Sequence, residues 1–434
     1  MTGVAGTFLG GATSRLLPAS IPFRYFGAAV AFHVAAWVAL IQGADAMPRF
    51  AGGLGWPLAA LHLTTLGVLA MSAIGASLQL LPVATRQPVA AARWPAAIWW
   101  IYTPGVAVAA AGMGTGEIVL LAAGAAAIVV ALIAYAIVLS RNLIGAKGMP
   151  AVVAHGWAAF ASLVVVLATA ASLVGTYVGA PGLARGPALA LHIPVAAYGF
   201  MGMLALGLSY ILVPMFALSP APADRWALAS LALAVAALLL AAAAAFGVAT
   251  QPLRIAAIAA GSAAVVVHLR LMTAALATGL RRELGRSFRL VRIAWACLIA
   301  SLPVALAVAL DVPFDGTTAL FGLVVIGGWL LTFLLGILQR IVPFLGSMHA
   351  VRGARGEKRR PPTPSSLTAE RPLAVHFACH LAALALLAFA IVGDSAAAAR
   401  AGALVGTAGA VAFAAFFAIA LWRMAGPASA APAA

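Results

Sequence analysis

Histidine is the residue type in this chain best suited to do chemistry. Seven of the eight His lie in long apolar stretches that hold almost no Lys, Arg, Asp or Glu. An ionisable side chain in such a stretch costs free energy and marks a functional site by default. Because imidazole is the usual ligand of haem iron and a common ligand of copper, these His predict a cofactor or metal site.

Two of the His occupy matching positions in their apolar stretches. His62 and His192 are each the sixth residue of a stretch, and each is followed about six helical turns later by a proline, Pro82 or Pro214. At 1.5 Å per helical residue, both would lie about 7–8 Å from the same end of their helices, with His33 roughly a turn or two deeper. Two imidazoles at equal depth could ligate a metal or hold a haem from both sides. His62, His192 and His33 are therefore the predicted cofactor-binding residues.

A second group of candidate ligands lies toward the opposite ends of the helices. His376 and His380 are four residues apart, which places them on one helical face, and Cys379 lies between them. Imidazole with thiolate favours copper or zinc, so His376, Cys379 and His380, with His155 at similar depth, are predicted metal ligands. The alternative is that these imidazoles only bond backbone carbonyls or Ser and Thr across helix contacts.

The elements that carry these His are predicted to be membrane-spanning helices. The chain is 65% hydrophobic and 8% charged, with a mean hydropathy of +1.11, which excludes a soluble core. Twelve apolar stretches reach the length of about 20 residues that a membrane helix needs. They run near 22–43, 57–82, 96–114, 117–140, 150–178, 187–216, 226–248, 253–279, 289–310, 317–344, 371–393 and 401–423. The sequence therefore predicts one all-α polytopic membrane domain over residues 1–434.

The distribution of charge predicts the orientation. Of the 25 Lys and Arg, 21 fall in the termini and even-numbered loops, and only Arg49, Arg185, Arg254 and Arg400 fall in the odd loops. By the positive-inside rule both termini are cytoplasmic. The net charge of +16 is thus explained by membrane topology, and no nucleic-acid partner is expected.

One predicted cytoplasmic loop differs from the others. Residues 347–370 are basic and then rich in Pro, Ser and Thr, a composition typical of disorder. The loop could dock a cytoplasmic partner or anionic lipid, or it could be a linker that enforces topology.

A threefold internal repeat is visible in the second, sixth and tenth helices. Each ends with a Gly followed seven residues later by a Pro: Gly75 and Pro82, Gly207 and Pro214, Gly336 and Pro343. The three prolines are almost evenly spaced along the chain, which predicts three four-helix units at about 22–140, 150–279 and 289–423. In the third unit, Phe321 and Leu323 stand where the other two carry His.

Twelve helices in three four-helix units, with His near the outer ends of helices two and six, resemble subunit I of the haem-copper oxidases. The resemblance implies a low-spin haem ligand at His62 and a copper ligand at His192. Tyr198 follows His192 by six residues rather than the family's four, and the family's His on helices seven and ten are missing. A complete oxygen-reducing centre is therefore not expected, and an enzymatic activity is not predicted.

The chain is more similar to the NnrS family, whose second helix reads roughly H-x-H-E-x-x-x-G before a further Gly and a terminal Pro. His62, Gly67, Gly75 and Pro82 keep that spacing, whereas Ala60 and Leu63 replace the first His and the Glu. The entry to helix one, Pro22 to Phe26, also resembles that family's start. The resemblance implies a bacterial inner-membrane protein that contains haem or copper and is linked to nitric oxide and nitrosative stress in denitrifying bacteria.

The sequence thus predicts an NnrS-like, haem- or copper-binding membrane protein whose ligand is nitric oxide or another small neutral molecule. Phosphate-binding loops, nucleophile elbows and HExxH motifs are missing from the sequence, which argues against hydrolytic and phosphoryl-transfer enzymes. The alternatives are a transporter or assembly factor for copper or haem, with His62, His33, His155 and His380 along a path, and a purely structural subunit.

Overall fold

The computed structural model describes residues 17–87, 93–281, 283–353 and 361–425. Within these ranges the chain is helical and contains no strand, and twelve helices are long and apolar enough to cross a membrane. They are α1 (Ser20–Gln42), α2 (Trp56–Thr85), α3 (Arg93–Thr115), α4 (Ile118–Ile144), α5 (Pro150–Val178), α6 (Arg185–Ala217), α7 (Asp224–Ala245), α8 (Thr250–Thr278), α9 (Gly285–Ala309), α10 (Thr317–Val351), α11 (Glu370–Val392) and α12 (Ala396–Ala425). The predicted all-helical membrane class and the twelve helices are confirmed.

The largest difference from the predicted boundaries is at the end of α10. The sequence places that end near Pro343, but the helix continues beyond the proline to Val351. A proline inside a helix removes one backbone hydrogen bond. Here the residues that follow are apolar and packed: Leu345 is buried, and the ring of Phe344 lies 6.2 Å from that of Phe216. This packing maintains the helix past the proline.

The short break between α3 and α4 is a tight turn at Gly116. Its φ of +79° is in the left-handed region, which glycine adopts without steric cost. The two helices then pack closely, because Gly112 of α3 and Gly124 of α4 have no side chain to hold the backbones apart. A Cβ on Gly112 would lie 2.8 Å from Leu121 Cα, and one on Gly124 would lie 2.7 Å from Ala109 Cα.

Contacts between loops show which loops share an end of the bundle. Arg49 and Asp394 form an ion pair, and Arg400 bonds Asp45 at 3.0 Å, which joins the α1–α2 loop to the α11–α12 turn. At the other end, Arg286 at the start of α9 bonds Glu370 at the start of α11 at 2.9 Å. The α1–α2 and α11–α12 loops therefore lie together at one end of the bundle, and the starts of α9 and α11 lie together at the other. We call the end that carries Arg286 the basic end.

The innermost helices are α2 and α6. Of their most apolar stretches 83% is buried inside the bundle, against 22–56% for the other ten. The middle of α10 contacts the middle segments of both helices. These three helices therefore line the centre of the bundle.

Each of these three helices contains a π-helical segment in its first half. The segments are Leu63–Ala70 in α2, Val195–Met201 in α6 and Leu323–Leu331 in α10. A π segment is rare, widens the helix locally and occurs frequently at functional sites. His62 lies immediately before the first segment, and His192 lies three residues before the second.

Two glycines on each of these helices contact the preceding odd-numbered helix. The glycines stand at the same two positions relative to each repeat proline: Gly67 and Gly75 meet Phe32 and Tyr25 of α1, Gly199 and Gly207 meet Ser162 and His155 of α5, and Gly328 and Gly336 meet Cys297 and Leu290 of α9. The two residues named on each odd-numbered helix are seven positions apart, about two helical turns, and Gly336 also lies close to Ser287 and Val291 of α9. The same glycine spacing therefore produces the same helix contact three times.

Part of the predicted basic loop has regular structure. Residues 347–351 continue α10, and Pro364–Leu367 forms one helical turn, capped by Thr363 and anchored by the buried Leu367. Arg423 of α12 donates to the carbonyl oxygens of Ser366 and Thr368, each at 3.1 Å. These contacts order residues that the sequence predicts to be disordered, while residues 354–360 of that prediction lie outside the described residues.

Candidate functional site

The structure divides the predicted site residues among three places in the bundle. His62 and His192 lie on α2 and α6, His33 lies with His376 and His380, and His155 lies with His268. Among the described residues, no three His, Cys, Asp or Glu are arranged to hold one metal ion. The seven His are therefore not links in a single chain across the membrane.

His62 and His192 form the outer pair. They lie six and seven residues after the starts of α2 and α6, so their depths are about 9 and about 10 Å along the helices. Both side chains are half-buried. Each ring therefore lies about two turns from the start of its own helix.

In each ring of the outer pair, Nδ1 is held by the protein. The Nδ1–H of His62 donates to the Leu58 carbonyl oxygen at 3.0 Å, one turn earlier on α2. Nδ1 of His192 lies 3.0 Å from Thr169 Oγ1 on α5, and that hydroxyl donates to the Val165 carbonyl oxygen at 2.8 Å. Because the threonine proton is used there, His192 donates its Nδ1–H to Thr169. Both rings thus keep Nε2 as the nitrogen with a free lone pair.

The third helix around this centre supplies aromatic packing instead of a ligand. Tyr198 lies between one and two turns after His192, with its ring 5.3 Å from Trp329 and 6.5 Å from Phe321, both of α10. Its hydroxyl donates to Ser301 Oγ of α9 at 2.9 Å. Phe321, which stands where the third unit lacks a His, therefore packs against the tyrosine that follows His192.

His33 does not join the outer pair as the sequence predicted. Its ring lies 6.1 Å from His376 and 6.3 Å from Phe413 of α12. The reason is helical geometry: Phe32 is the α1 residue that contacts Gly67 of α2, and the next residue points about 100° away from that contact. His33 accordingly faces α11 and α12.

His33, His376 and His380 form a buried cluster, each at most 2% exposed. Trp37 Nε1–H donates to Nε2 of His33 at 3.1 Å, which leaves the proton of that ring on Nδ1. His376 donates its Nδ1–H to the Gly409 carbonyl oxygen at 3.1 Å. His380 donates its Nε2–H to Thr332 Oγ1 at 2.8 Å, since that hydroxyl donates to the Gly327 carbonyl oxygen. The cluster therefore presents one donor, from His33, and two acceptors, from His376 and His380.

Cys379 is next to His380 on α11, whereas His155 lies on a different helix. Cys379 is half-buried and packs beside Gly409 of α12. His155 is on α5, where its Nδ1–H donates to the Ala151 carbonyl oxygen at 2.8 Å and its ring lies 5.4 Å from Tyr210. Tyr210 also contacts His268, whose Nδ1 is 3.0 Å from the tyrosine oxygen. The four predicted metal ligands are thus divided between α5 and α11, on different sides of the bundle core.

Sequence reasoning missed the residues that fix the rings. Thr169, Thr332 and Tyr210 are ordinary residues of apolar helices, and their His partners lie 23, 48 and 58 positions away in the chain. No spacing rule connects them. Trp37 is different because it follows His33 by four residues, a spacing that places the two side chains on one helical face.

The chemical capacity of the outer pair follows from its tautomers. An imidazole whose Nδ1–H is bonded to a carbonyl or hydroxyl has its ring orientation fixed and offers Nε2 to a metal, the arrangement typical of ligating His. Comparisons of the chain with protein-family models and with curated proteins find no match.

Proposed function

We propose that this chain is a haem-binding membrane protein of the NnrS type, with a role in the response to nitric oxide. The observation that supports this best is the outer pair, two imidazoles at equal depth on helices that face the bundle centre. Each has Nδ1 held by the protein and Nε2 left for a ligand bond. The resemblance of His62, Gly67, Gly75 and Pro82 to the NnrS second helix supports the same assignment.

The donor set fits a haem. Two neutral imidazoles add no charge to the site, and each of them needs an Nδ1 partner that fixes its ring. For His62 that partner is the carbonyl oxygen of Leu58 on its own helix, and for His192 it is Thr169 on a neighbouring helix. Tyr198, Trp329 and Phe321 supply apolar aromatic surface between α6 and α10, of the kind that an aromatic macrocycle requires.

A haem held by His62 and His192 would supply the ability to bind nitric oxide or another neutral diatomic molecule, which would have to displace one of the two imidazoles. A neutral diatomic ligand can reach the proposed haem from the lipid, through the apolar helices, and needs no charged path. In accord with this, the eight acidic side chains among the described residues all lie in loops or at helix ends: Asp45, Glu117, Asp224, Glu283, Asp311, Asp315, Glu370 and Asp394. In the described part of the chain, carboxylates that could relay protons for a reduction are thus confined to the ends of the helices, and the proposed role is binding and response rather than turnover.

The arrangement we propose is three four-helix units around a common centre, with both termini cytoplasmic and the protein in the bacterial inner membrane. Two observations support the repeat: the π segments recur on α2, α6 and α10, and each of these helices contacts the preceding odd-numbered helix through glycines at one spacing. The grouping of Arg and Lys in the even loops supports the orientation.

The second candidate is a transporter or assembly factor for copper or haem. It is favoured by the buried nitrogens without a hydrogen-bond partner at His376 Nε2 and His380 Nδ1, which could hold a soft metal ion. The predicted path of His across the membrane is not supported by the contacts, since His33 and His380 lie in one cluster and His155 in another.

Absorption spectroscopy with metal analysis separates these functions. We expect the protein purified in mild detergent to show a Soret band that shifts on reduction with dithionite and again on addition of nitric oxide. Copper at one equivalent without haem, lost in His376→Ala and His380→Ala, would favour the second candidate instead. A protein with neither a Soret band nor copper, even after incubation with hemin, would contradict the proposal.

A further inference from the structure

The basic end of α8 and α9 carries the densest positive charge among the described helices. Five arginines lie close together in this part of the chain: Arg270, Arg281, Arg286, Arg289 and Arg292. Of these, only Arg286 takes part in an ion pair within the described structure, with Glu370. Glu283 is the only acidic residue in this segment of sequence. Four of the five arginines therefore have no ion-pair partner in the described structure.

Two of these arginines lie well inside the helices. Arg270 precedes the end of α8 at Thr278 by eight residues, and Arg292 follows the start of α9 at Gly285 by seven. At 1.5 Å per residue they are about 12 and about 10 Å from the helix ends, so their depths match on two antiparallel helices that pack together. Arg289 lies about one turn nearer the start of α9 than Arg292.

All three side chains are exposed on the outside of the bundle. On α8, Arg270 follows Val266, which is 48% exposed, by one turn, and on α9, Arg292 precedes Ile299, which is 53% exposed, by two turns. These apolar neighbours identify the surface as one that faces lipid. A guanidinium at this depth extends toward the headgroup layer and is costly to leave without an anion.

The start of α9 is fixed in place by bonds to two other helices. Arg340 of α10 donates to Ser287 Oγ at 2.8 Å and to the carbonyl oxygen of Leu284, and Arg286 is held by Glu370 of α11. The first turns of α9 therefore cannot rotate freely. The positions from which Arg289 and Arg292 extend are set before any ligand binds.

We propose that Arg270, Arg289 and Arg292 form a binding site for the phosphate group of an anionic phospholipid, on the outer surface of α8 and α9 at the basic end. Guanidinium groups bind phosphate oxygens with paired N–H donors. The apolar side chains beyond them, Val266 and Ile299, provide the surface along which acyl chains lie. This site is separate from the outer His pair and is independent of the proposed haem.

The test uses native mass spectrometry of the full-length protein with added phosphatidylglycerol or phosphatidylcholine. We expect phosphatidylglycerol to remain bound and phosphatidylcholine to dissociate, and inorganic phosphate at the same concentration not to compete. In the variant Arg270→Gln/Arg289→Gln/Arg292→Gln, the preference for phosphatidylglycerol should fall by roughly a hundredfold, because each arginine near the membrane surface contributes about 1 kcal/mol to binding an anionic lipid.

A matched control removes the same charge elsewhere at the same end. Arg141, Arg225 and Arg371 are exposed and form no ion pair in the described structure, so their triple Gln variant should keep the preference. Equal loss in both triple variants, or equal binding of the two lipids by the unmodified protein, would overturn the proposal. Displacement by inorganic phosphate would overturn it as well, in favour of a free-anion site. A size-exclusion profile like that of the unmodified protein shows that a variant is folded.

Discussion

Replacing His62 or His192 by alanine is expected to remove the Soret band of the purified protein almost completely. Each substitution deletes one of the two Nε2 atoms proposed to bind iron, and within the outer pair no further imidazole is available to replace it, since His33 faces α11 and α12. The measurement is haem content per chain, from the absorption spectrum and a pyridine haemochrome assay. Loss should be at least tenfold in each single variant.

A matched control for these variants is His376→Ala. It removes a buried His from a helix of the same bundle, but from the cluster on α1 and α11, and should leave the Soret band unchanged. Thr169→Val is the graded variant: it deletes the oxygen that accepts the Nδ1–H of His192 and should weaken haem binding by about 10–100-fold without abolishing it. If His376→Ala removes the band and His62→Ala does not, the haem site has been assigned to the wrong cluster.

Gly112→Ala and Gly124→Ala are expected to destabilise the α3–α4 hairpin strongly. The added Cβ would lie 2.8 Å from Leu121 Cα in the first variant and 2.7 Å from Ala109 Cα in the second. These neighbours are backbone atoms, so only a displacement of one helix from the other relieves the overlap. The cost of such overpacking is about 1–3 kcal/mol for each site. The two effects should not add, because both substitutions separate the same pair of helices.

The measurement is thermal unfolding in detergent, followed by tryptophan fluorescence and by the fraction of monodisperse protein after heating. Gly322→Ala is the matched control, since it is also a glycine in a membrane-spanning helix and a Cβ there meets nothing within 4 Å. Alanine also has the higher helix propensity, so this variant should be neutral or slightly stabilised. Unchanged melting of both hairpin variants would mean that α3 and α4 do not pack as closely as described.

The helices could be predicted from the sequence because each depends on an apolar run of about 20 residues. The common spacing from glycine to proline in α2, α6 and α10 can likewise be read from the sequence, and it identifies these three helices as related. Each helix also has an earlier glycine at a constant distance from its proline: Gly67, Gly199 or Gly328. Of these three glycines, only Gly67 was identified from the sequence. The π segments could not be predicted, since they arise from how the helices pack rather than from a residue pattern.

For the candidate site, the sequence predicts how far along its helix each His lies, but not which neighbouring helices its side chain faces. Position along a helix follows from residue number, so His62 and His192 could each be placed about two turns from the start of their helices. The direction of a side chain depends on which neighbour each helical face meets, and nothing in the residues around His33 indicates that α11 and α12 lie on that side. The same limit applies to His155 and His376, which are at similar predicted depth but belong to different clusters.

The most direct test of the central claim is electron paramagnetic resonance of the oxidised protein labelled with 15N-histidine. Two imidazole nitrogens on one iron predict a low-spin ferric signal with hyperfine coupling to two labelled nitrogens in the unmodified protein, and almost no ferric haem signal in His62→Ala or His192→Ala. A ferric signal that keeps its full intensity in both variants, or that shows no coupling to labelled nitrogen in the unmodified protein, would contradict the account.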